Sequence, residues 1–163
     1  MHIKLINKKL YFNNYNIKCS IGKRGISKIK KEGDLRTPKG VYKFNEIFYR
    51  KDRVLKIKNK LKKTVITKNM KWCDDPRSTQ YNKLLKVVTK YKTEKLYRRD
   101  NVYDILIVLN YNTKPVIKNL GSAIFLHIAK KNYTPTKGCI AVKKKDMYLI
   151  LKFINKKTKI IIY

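Results

Sequence analysis

The chain is poor in acidic residues, and this shortage excludes an acidic protein. Asp and Glu total 10 among its 163 residues, against 42 Lys and Arg, which gives a formal net charge of +32 at pH 7. A charge of this size affects solubility, steering and non-specific binding rather than the fold. Two explanations stay open: a polyanionic partner, or an AT-rich codon usage that favours Lys, Asn, Ile and Tyr together.

Metal ligands are also scarce. The chain has two histidines, His2 and His127, and three cysteines, Cys19, Cys73 and Cys139, with no CxxC pair among them. Structural zinc sites need Cys and His ligands at closer and more regular spacing, so we expect no metal site. The odd number of cysteines leaves at least one free thiol in a monomer.

Long apolar runs are missing as well. The longest, such as Ile105–Leu109 and Ala123–Leu126, fall far short of the roughly 20 residues that a membrane-spanning helix needs. Residues 1–9 contain neither the apolar segment nor the small-residue cleavage site of a signal peptide. We therefore expect no membrane span, and a cytoplasmic location if the sequence is complete and not exported by another route.

Apolar and polar residues alternate along much of the chain, which is the pattern of β-strands. Near the start, this alternation and the Asn13-Asn14 pair predict a hairpin, and continuous apolar runs farther on predict two buried strands. The predicted strands are Lys4–Ile6, Lys9–Phe12, Tyr15–Ile21, Val41–Phe44, Thr64–Thr67, Asp104–Asn110, Ala123–Ile128 and Lys159–Ile162.

One predicted helix stands apart from this pattern. After Cys139, apolar residues fall at the helical spacing i, i+3, i+4 and i+7, at Met147, Ile150, Leu151 and Ile154. No internal repeat and no linker interrupts the chain. The sequence therefore predicts a single domain over residues 1–163 that is mostly β and carries one late helix.

A histidine and a cysteine lie near each other in the most informative part of the chain. His127 ends a predicted strand, and the Gly138-Cys139 pair opens the next apolar run, so the connection can fold back and bring the two side chains together. The thiolate is the reactive form of cysteine, and a neighbouring imidazole can accept the thiol proton and stabilise the anion. Gly138 permits close approach of a substrate, and backbone N–H groups there can stabilise an oxyanion. On spacing alone, a buried core cysteine and a hydrogen-bonded histidine are the simpler interpretation.

Several motifs in a fixed order change that interpretation. They include Thr37-Pro38-Lys39-Gly40, Trp72-Cys73-Asp74-Asp75-Pro76, Asn110-Tyr111-Asn112, Gly121-Ser122-Ala123-Ile124-Phe125-Leu126-His127 and Thr136-Lys137-Gly138-Cys139. Together they cover nearly the whole chain and resemble the L,D-transpeptidase catalytic domain, also called the YkuD domain. Lys137 replaces the histidine that usually precedes the Gly-Cys pair in this family, and Ala141 replaces a common arginine. We interpret both differences as features of a compact bacterial branch of the family.

The resemblance implies a fold, a site and a reaction. The implied fold is a mostly-β sandwich of mixed sheets with one or two short helices, the clearest of which follows the nucleophile loop. Cys139 corresponds to the nucleophile, His127 to the base, and Thr136, Lys137 and Gly138 to the nucleophile loop and oxyanion site. Substrate contacts are predicted for three residues of these motifs: Ser122, Trp72 and Tyr111. Two alternatives stay open here: Ser122 could instead orient its loop, and an aromatic packing role is the simpler interpretation for Trp72.

The reaction implied by the resemblance is acyl transfer on peptidoglycan stem tetrapeptides. Cys139 forms a thioester with the L-centre, the terminal D-amino acid leaves with a proton from His127, and an amine of another stem gives a 3→3 cross-link. No metal or organic cofactor is required. The expected partner is a peptidoglycan stem peptide bound by a monomer, with no specific nucleic acid. A function in cell wall biogenesis and cell shape implies the cell envelope or periplasm.

Two alternatives stay open at this stage. Water in place of the amine would make the protein an L,D-carboxypeptidase or a peptidase that hydrolyses the same peptides. A non-enzymatic basic module that binds polyanions is a different class, supported by the net charge alone and by no recognisable nucleic-acid-binding signature.

Overall fold

The computed structural model describes all residues, 1–163, and is mostly β. It contains fourteen strands, one α-helix (α1, Lys144–Phe153) and one short 3₁₀ turn (Lys131–Tyr133). The strands are β1 (His2–Ile6), β2 (Lys9–Phe12), β3 (Tyr15–Lys18), β4 (Ile26–Ser27), β5 (Thr37–Pro38), β6 (Gly40–Tyr49), β7 (Lys62–Val65), β8 (Lys71–Cys73), β9 (Leu84–Leu85), β10 (Thr93–Lys95), β11 (Ile105–Leu109), β12 (Phe125–Ile128), β13 (Ile140–Val142) and β14 (Lys159–Ile162).

A mixed nine-stranded sheet forms the body of the molecule. Its order is β13-β12-β11-β6-β14-β1-β2-β3, with β7 paired to β6 beside this path. The pairs β1/β14, β6/β7 and β12/β13 are parallel, and the other pairs are antiparallel. Isolated bridges join Ser20 to Ala141 and Gly22 to Thr136, so the chain after β3 returns to the strand at the opposite end. The sheet is therefore a nearly closed sandwich.

Strand β11 shows why an unbroken apolar run forms a strand here. Ile105, Ile107 and Leu109 belong to one hydrophobic cluster, and Leu106 and Val108 belong to a second. Alternate side chains point to opposite faces of a strand, so a strand covered on both faces needs apolar residues at every position. The first cluster lies between the large sheet and α1. The second lies toward a three-stranded sheet of order β10-β8-β9.

Helix α1 packs on the first cluster through the residues that the helical spacing predicts. Met147, Ile150 and Leu151 are buried, and each fully buried side chain of this size contributes roughly 1.5–3 kcal/mol to stability. The Asn59 side chain donates to the Leu151 and Ile154 carbonyls at 2.7 and 2.9 Å, which satisfies acceptors that the helix end leaves free. The late helix predicted from the sequence is confirmed.

The predicted fold class is also confirmed, since the model is a mostly-β mixed-sheet sandwich with one helix of the YkuD type. No helix in it combines the length and the apolar character needed to cross a membrane.

Candidate active site

Two neighbouring parallel strands position the predicted histidine and cysteine. His127 on β12 pairs with Ala141 on β13. Phe125, two residues before His127 on β12, lies beside Cys139, and its backbone N–H donates to Cys139 Sγ at 3.4 Å. Residues two apart on a strand point to the same face, so Cys139 and His127 share one face of the sheet and line the same groove.

The Cys139 side chain is a thiol in this structure. Its Sγ–H donates to the Ala123 carbonyl at 3.0 Å. Burial, and to a smaller extent the negative charge of Glu94, raise the pKa of Cys139 to about 12, although the Phe125 N–H and Lys30 act in the opposite direction. The sulfur therefore keeps its proton at neutral pH.

The His127 ring is neutral and has a defined tautomer. Its Nδ1 lies 2.9 Å from the Ile128 carbonyl, which can only accept, so Nδ1 carries the hydrogen and the lone pair is on Nε2. Burial lowers the pKa of His127 to about 4, partly offset by this hydrogen bond. The Tyr103 ring packs edge-on against the imidazole, with 5.3 Å between the ring centroids.

The two side chains are thus a neutral pair in the free protein. They make no hydrogen bond to each other, because the thiol donates to a carbonyl instead. The thiolate stabilised by an imidazolium, expected from the pairing of these residue types, is not the resting state of this structure. The cause is the burial of both groups, since burial disfavours the charged form of each.

The nucleophile loop is held from both sides by threonine hydroxyls. Thr136 Oγ1 donates to the Cys139 carbonyl at 2.6 Å and accepts from the Gly138 N–H at 3.1 Å. Thr37 Oγ1 donates to the Gly138 carbonyl at 2.9 Å and accepts from the Gly22 N–H at the same distance. Gly138 has a φ of +142°, and a Cβ there would lie 2.8 Å from the Arg36 carbonyl oxygen, so this position requires glycine.

One backbone donor of this loop is free for an oxyanion. The Gly138 N–H is used by Thr136, but the Cys139 N–H makes no hydrogen bond within the protein. This N–H belongs to the nucleophile residue, the position from which a backbone donor can stabilise a tetrahedral oxyanion. Lys137 is exposed at the rim of the groove.

The groove has a volume of about 690 Å³ and a mixed charge. Six basic side chains line it: Lys30, Lys92, Lys95, Arg98, Lys130 and Lys137. Three acidic side chains, Glu32, Asp74 and Glu94, line it as well. No group of three or more His, Cys, Asp or Glu side chains is arranged to hold a metal ion.

The predicted substrate-contact residues fall in different places. Ser122 lines the groove, and its buried Oγ has no hydrogen-bond partner. Trp72 does not line the groove, because its ring is buried between Phe48 and Phe125 in edge-to-face contacts. Tyr111 is also outside the groove, and its hydroxyl donates to the Leu120 carbonyl. The structure therefore brings Ser122 to Cys139 and His127 but leaves Trp72 and Tyr111 in packing positions.

Asn82 supports the site and has no role in the sequence-based prediction. Its Oδ1 accepts from Trp72 Nε1 at 2.9 Å and from the Ala123 N–H at 3.0 Å. Its Nδ2 donates to the Tyr111 and Asn112 carbonyls at 3.3 and 2.6 Å. The residue is buried and has a φ of +57°, a conformation that asparagine tolerates better than most residues. In the sequence, Tyr81-Asn82 is one of the segments that resemble the family, but the resemblance gives the Asn82 side chain no partner.

The fold and the site together define a mostly-β domain that carries a cysteine and a histidine in one groove. A family model of the L,D-transpeptidase catalytic domain (YkuD) matches residues 5–162, and the chain belongs to this family. Proteins of the family are typically acyltransferases or peptidases that act on peptidoglycan peptides. A search of curated proteins finds no match to the chain.

Proposed function

We propose that the protein is an L,D-transpeptidase that acts on peptidoglycan stem tetrapeptides through a Cys139 thioester. The observation that supports this is the shared placement of Cys139 and His127 on one face of the groove, in a chain of this family. The neutral imidazole with its lone pair on Nε2 is the form that can accept the thiol proton.

In the first step, Cys139 Sγ attacks the carbonyl carbon of the L-centre that precedes the terminal D-residue. The S–C bond forms while the thiol proton passes to His127 Nε2 and the carbonyl π electrons move to oxygen. The Cys139 N–H can donate to that oxyanion. The C–N bond then breaks, His127 returns the proton to the leaving nitrogen, and the D-amino acid departs from the thioester.

In the second step, an amine of another stem attacks the thioester carbon. The new C–N bond forms, the C–S bond breaks, and the amine proton is transferred through His127 to the departing sulfur. The product is a 3→3 cross-link, so the proposed process is cell wall biogenesis in the cell envelope. We propose that the protein acts there as a monomer. If water attacks instead, the product is a free tripeptide and the activity is that of an L,D-carboxypeptidase.

Intact-protein mass spectrometry tests this proposal. The wild-type protein, incubated with a stem tetrapeptide or with a carbapenem, is expected to gain the mass of one acyl group. Cys139→Ala is expected to gain none, and Cys19→Ala is the matched control because Cys19 is a buried thiol outside the groove. Dimers among the released products would indicate transfer, and tripeptide alone would indicate hydrolysis. Normal cross-linking by Cys139→Ala would refute the proposal.

A further inference from the structure

A second pocket lies beside the nucleophile loop, and all of its charged lining residues are basic. It has a volume of about 480 Å³, which is within the size range of small-molecule sites. Its charged lining residues are Lys8, Lys18, Lys23 and Arg24. The groove of Cys139 differs in this respect, since three acidic side chains lie among its basic ones. The second pocket is therefore the more strongly cationic of the two.

None of the four basic residues of this pocket has an anionic partner. Eight basic residues of the protein form ion pairs, and none of these eight lines the second pocket. The four come from separate segments: Lys8 lies in the turn between β1 and β2, Lys18 ends β3, and Lys23 and Arg24 follow in the loop before β4. Unpaired like charges repel one another, so a concave site that gathers them from separate segments is suited to an anion.

The Tyr133 ring brings a further cation to this pocket. Lys18 Nζ lies 5.0 Å from the ring centroid, and Lys143 Nζ lies 5.7 Å from it, so two ammonium groups from different elements meet at one ring. Tyr133 has a φ of +54° and Asn132 a φ of +60°, a left-handed conformation that is unfavourable for residues with a Cβ. The carboxylate of Asp146 contributes, after burial, to raising the pKa of Tyr133, but it does not line the pocket. The strained turn thus holds an aromatic ring among cations that no acidic lining residue neutralises.

The wall of this pocket is hydrogen-bonded to the nucleophile loop. The buried Ile21 accepts from the Thr136 N–H through its carbonyl at 2.9 Å, and the Lys23 N–H donates to the Thr136 carbonyl at the same distance. Pro135 lines both the second pocket and the groove. A ligand in the second pocket would therefore lie behind the loop that carries Cys139 and outside the groove.

We propose that the second pocket binds the phosphate group of a small molecule. A phosphate carries up to two negative charges and several strong acceptor oxygens, so it can contact several of these cations at once, whereas a carboxylate carries one charge. The Arg24 guanidinium can donate two parallel hydrogen bonds to phosphate, and the lysine ammonium groups act as point charges. The concave shape and small volume favour a small molecule over a polymer chain. The ligand is either inorganic phosphate or a phosphate monoester, and the inference does not depend on the proposed acyl transfer.

Two-dimensional ¹H–¹⁵N NMR spectra of the whole chain test where phosphate binds. The protein is titrated with inorganic phosphate and, separately, with sodium chloride at the same ionic strength. Saturable shifts are expected with phosphate at the amides of residues 18–25 and 132–133, rather than at residues 92–98 of the groove. Glycerol 3-phosphate is titrated in the same way. Tighter binding of this monoester would assign the site to phosphate monoesters, and equal affinity would assign it to the phosphate group alone.

Two double variants remove the same charge at different places. Lys18→Gln with Arg24→Gln removes two cations from the pocket, and Lys56→Gln with Arg99→Gln removes two exposed cations outside both the pocket and the groove. All four side chains are exposed, so the fold is expected to persist in both proteins. Loss of two exposed charge contacts is expected to raise the Kd for phosphate roughly tenfold in the pocket variant. The control variant is expected to keep the wild-type Kd.

Urea unfolding provides a second measurement. A ligand that binds the native state stabilises it, so phosphate is expected to raise the urea midpoint of the wild type and the control variant more than that of the pocket variant. Comparison among the three proteins removes the general stabilising effect of phosphate as a salt. Equal Kd values in all three, the same shifts with chloride, or shifts confined to the groove would overturn the inference. None of these results would bear on the proposed acyl transfer, because Cys139 and His127 lie outside this pocket.

Discussion

Replacement of Asn82 tests whether one buried amide holds the nucleophile in place. Asn82 accepts from the Ala123 N–H, and the Ala123 carbonyl accepts from the Cys139 thiol. Asn82→Ala removes the acceptor shared by the Ala123 N–H and Trp72 Nε1. Both donors are then buried without a partner. The Ala123 backbone, whose carbonyl accepts from Cys139 Sγ, also loses the hydrogen bond that holds it.

The expected destabilisation follows from these two donors. An unsatisfied buried donor costs roughly 1–3 kcal/mol, so two give about 2–6 kcal/mol. The lost donation to the Tyr111 and Asn112 carbonyls adds a smaller amount, because a carbonyl can find another donor. Ala at a φ of +57° adds about 1–2 kcal/mol of backbone strain. A total of this size is a large share of the roughly 5–15 kcal/mol by which a folded domain is typically stabilised.

Urea unfolding followed by far-UV circular dichroism measures this loss. Asn13→Ala is the matched control, because Asn13 is exposed in a turn, has a φ of +46° and makes no side-chain hydrogen bond, so it reports the backbone strain alone. Thioester formation at Cys139 is expected to slow in Asn82→Ala under folding conditions and to be unchanged in Asn13→Ala. Equal destabilisation by the two substitutions would refute the role given to the Asn82 amide.

Two further predictions concern burial and close packing at the site. Burial lowers the pKa of His127 from 6.5 to about 4, so between these pH values the unfolded chain binds a proton that the native protein does not. The free energy of unfolding is therefore expected to fall by up to about 3 kcal/mol as the pH is lowered through this range. Urea midpoints measured against pH are expected to fall less steeply for His127→Gln than for the wild type. The same pH dependence in both proteins would contradict this prediction. Gly138→Ala is expected to destabilise the protein by about 1–3 kcal/mol and to slow thioester formation, because its Cβ would lie 2.8 Å from the Arg36 carbonyl oxygen. Gly33→Ala is the control, because Gly33 has a φ of +74° and open space around an added Cβ, so this variant has backbone strain without a clash. Equal urea midpoints for the two variants would show that the contact with the Arg36 carbonyl does not contribute.

Much of the fold follows from patterns that are visible in the sequence. The alternation near the start predicts β1, β2 and β3, and the helical spacing predicts α1, because these patterns state which face of an element is buried. Pairing partners are not encoded in the same way. The parallel pairing of β1 with β14 joins the two ends of the chain, and alternation specifies a face of a strand but no neighbour. Strands β8 and β10 are three residues long, which is too short to show a periodic pattern.

The candidate site was also only partly predictable from the sequence. The resemblance to the L,D-transpeptidase family, more than the spacing, predicts that Cys139 and His127 act together, and the structure places both in one groove. Their ionisation could not be predicted, because it depends on burial that only the folded chain creates. For Trp72, packing is the simpler interpretation of the sequence and a loop position leaves a substrate contact open; Tyr111 is predicted as a substrate contact from its place in a family motif. The same ring that can stack on a ligand can also fill a core, and the sequence does not distinguish the two.

A neutral cysteine and a neutral histidine would make the proposed acyl transfer dependent on the bound substrate. Moving the thiol proton to His127 before attack would create two buried charges, and burial opposes both. If attack accompanies the proton transfer, the negative charge passes from sulfur to the substrate oxygen, where the Cys139 N–H can stabilise it. The groove would thus keep the nucleophile protonated until a substrate is bound, so that proton transfer and attack occur together.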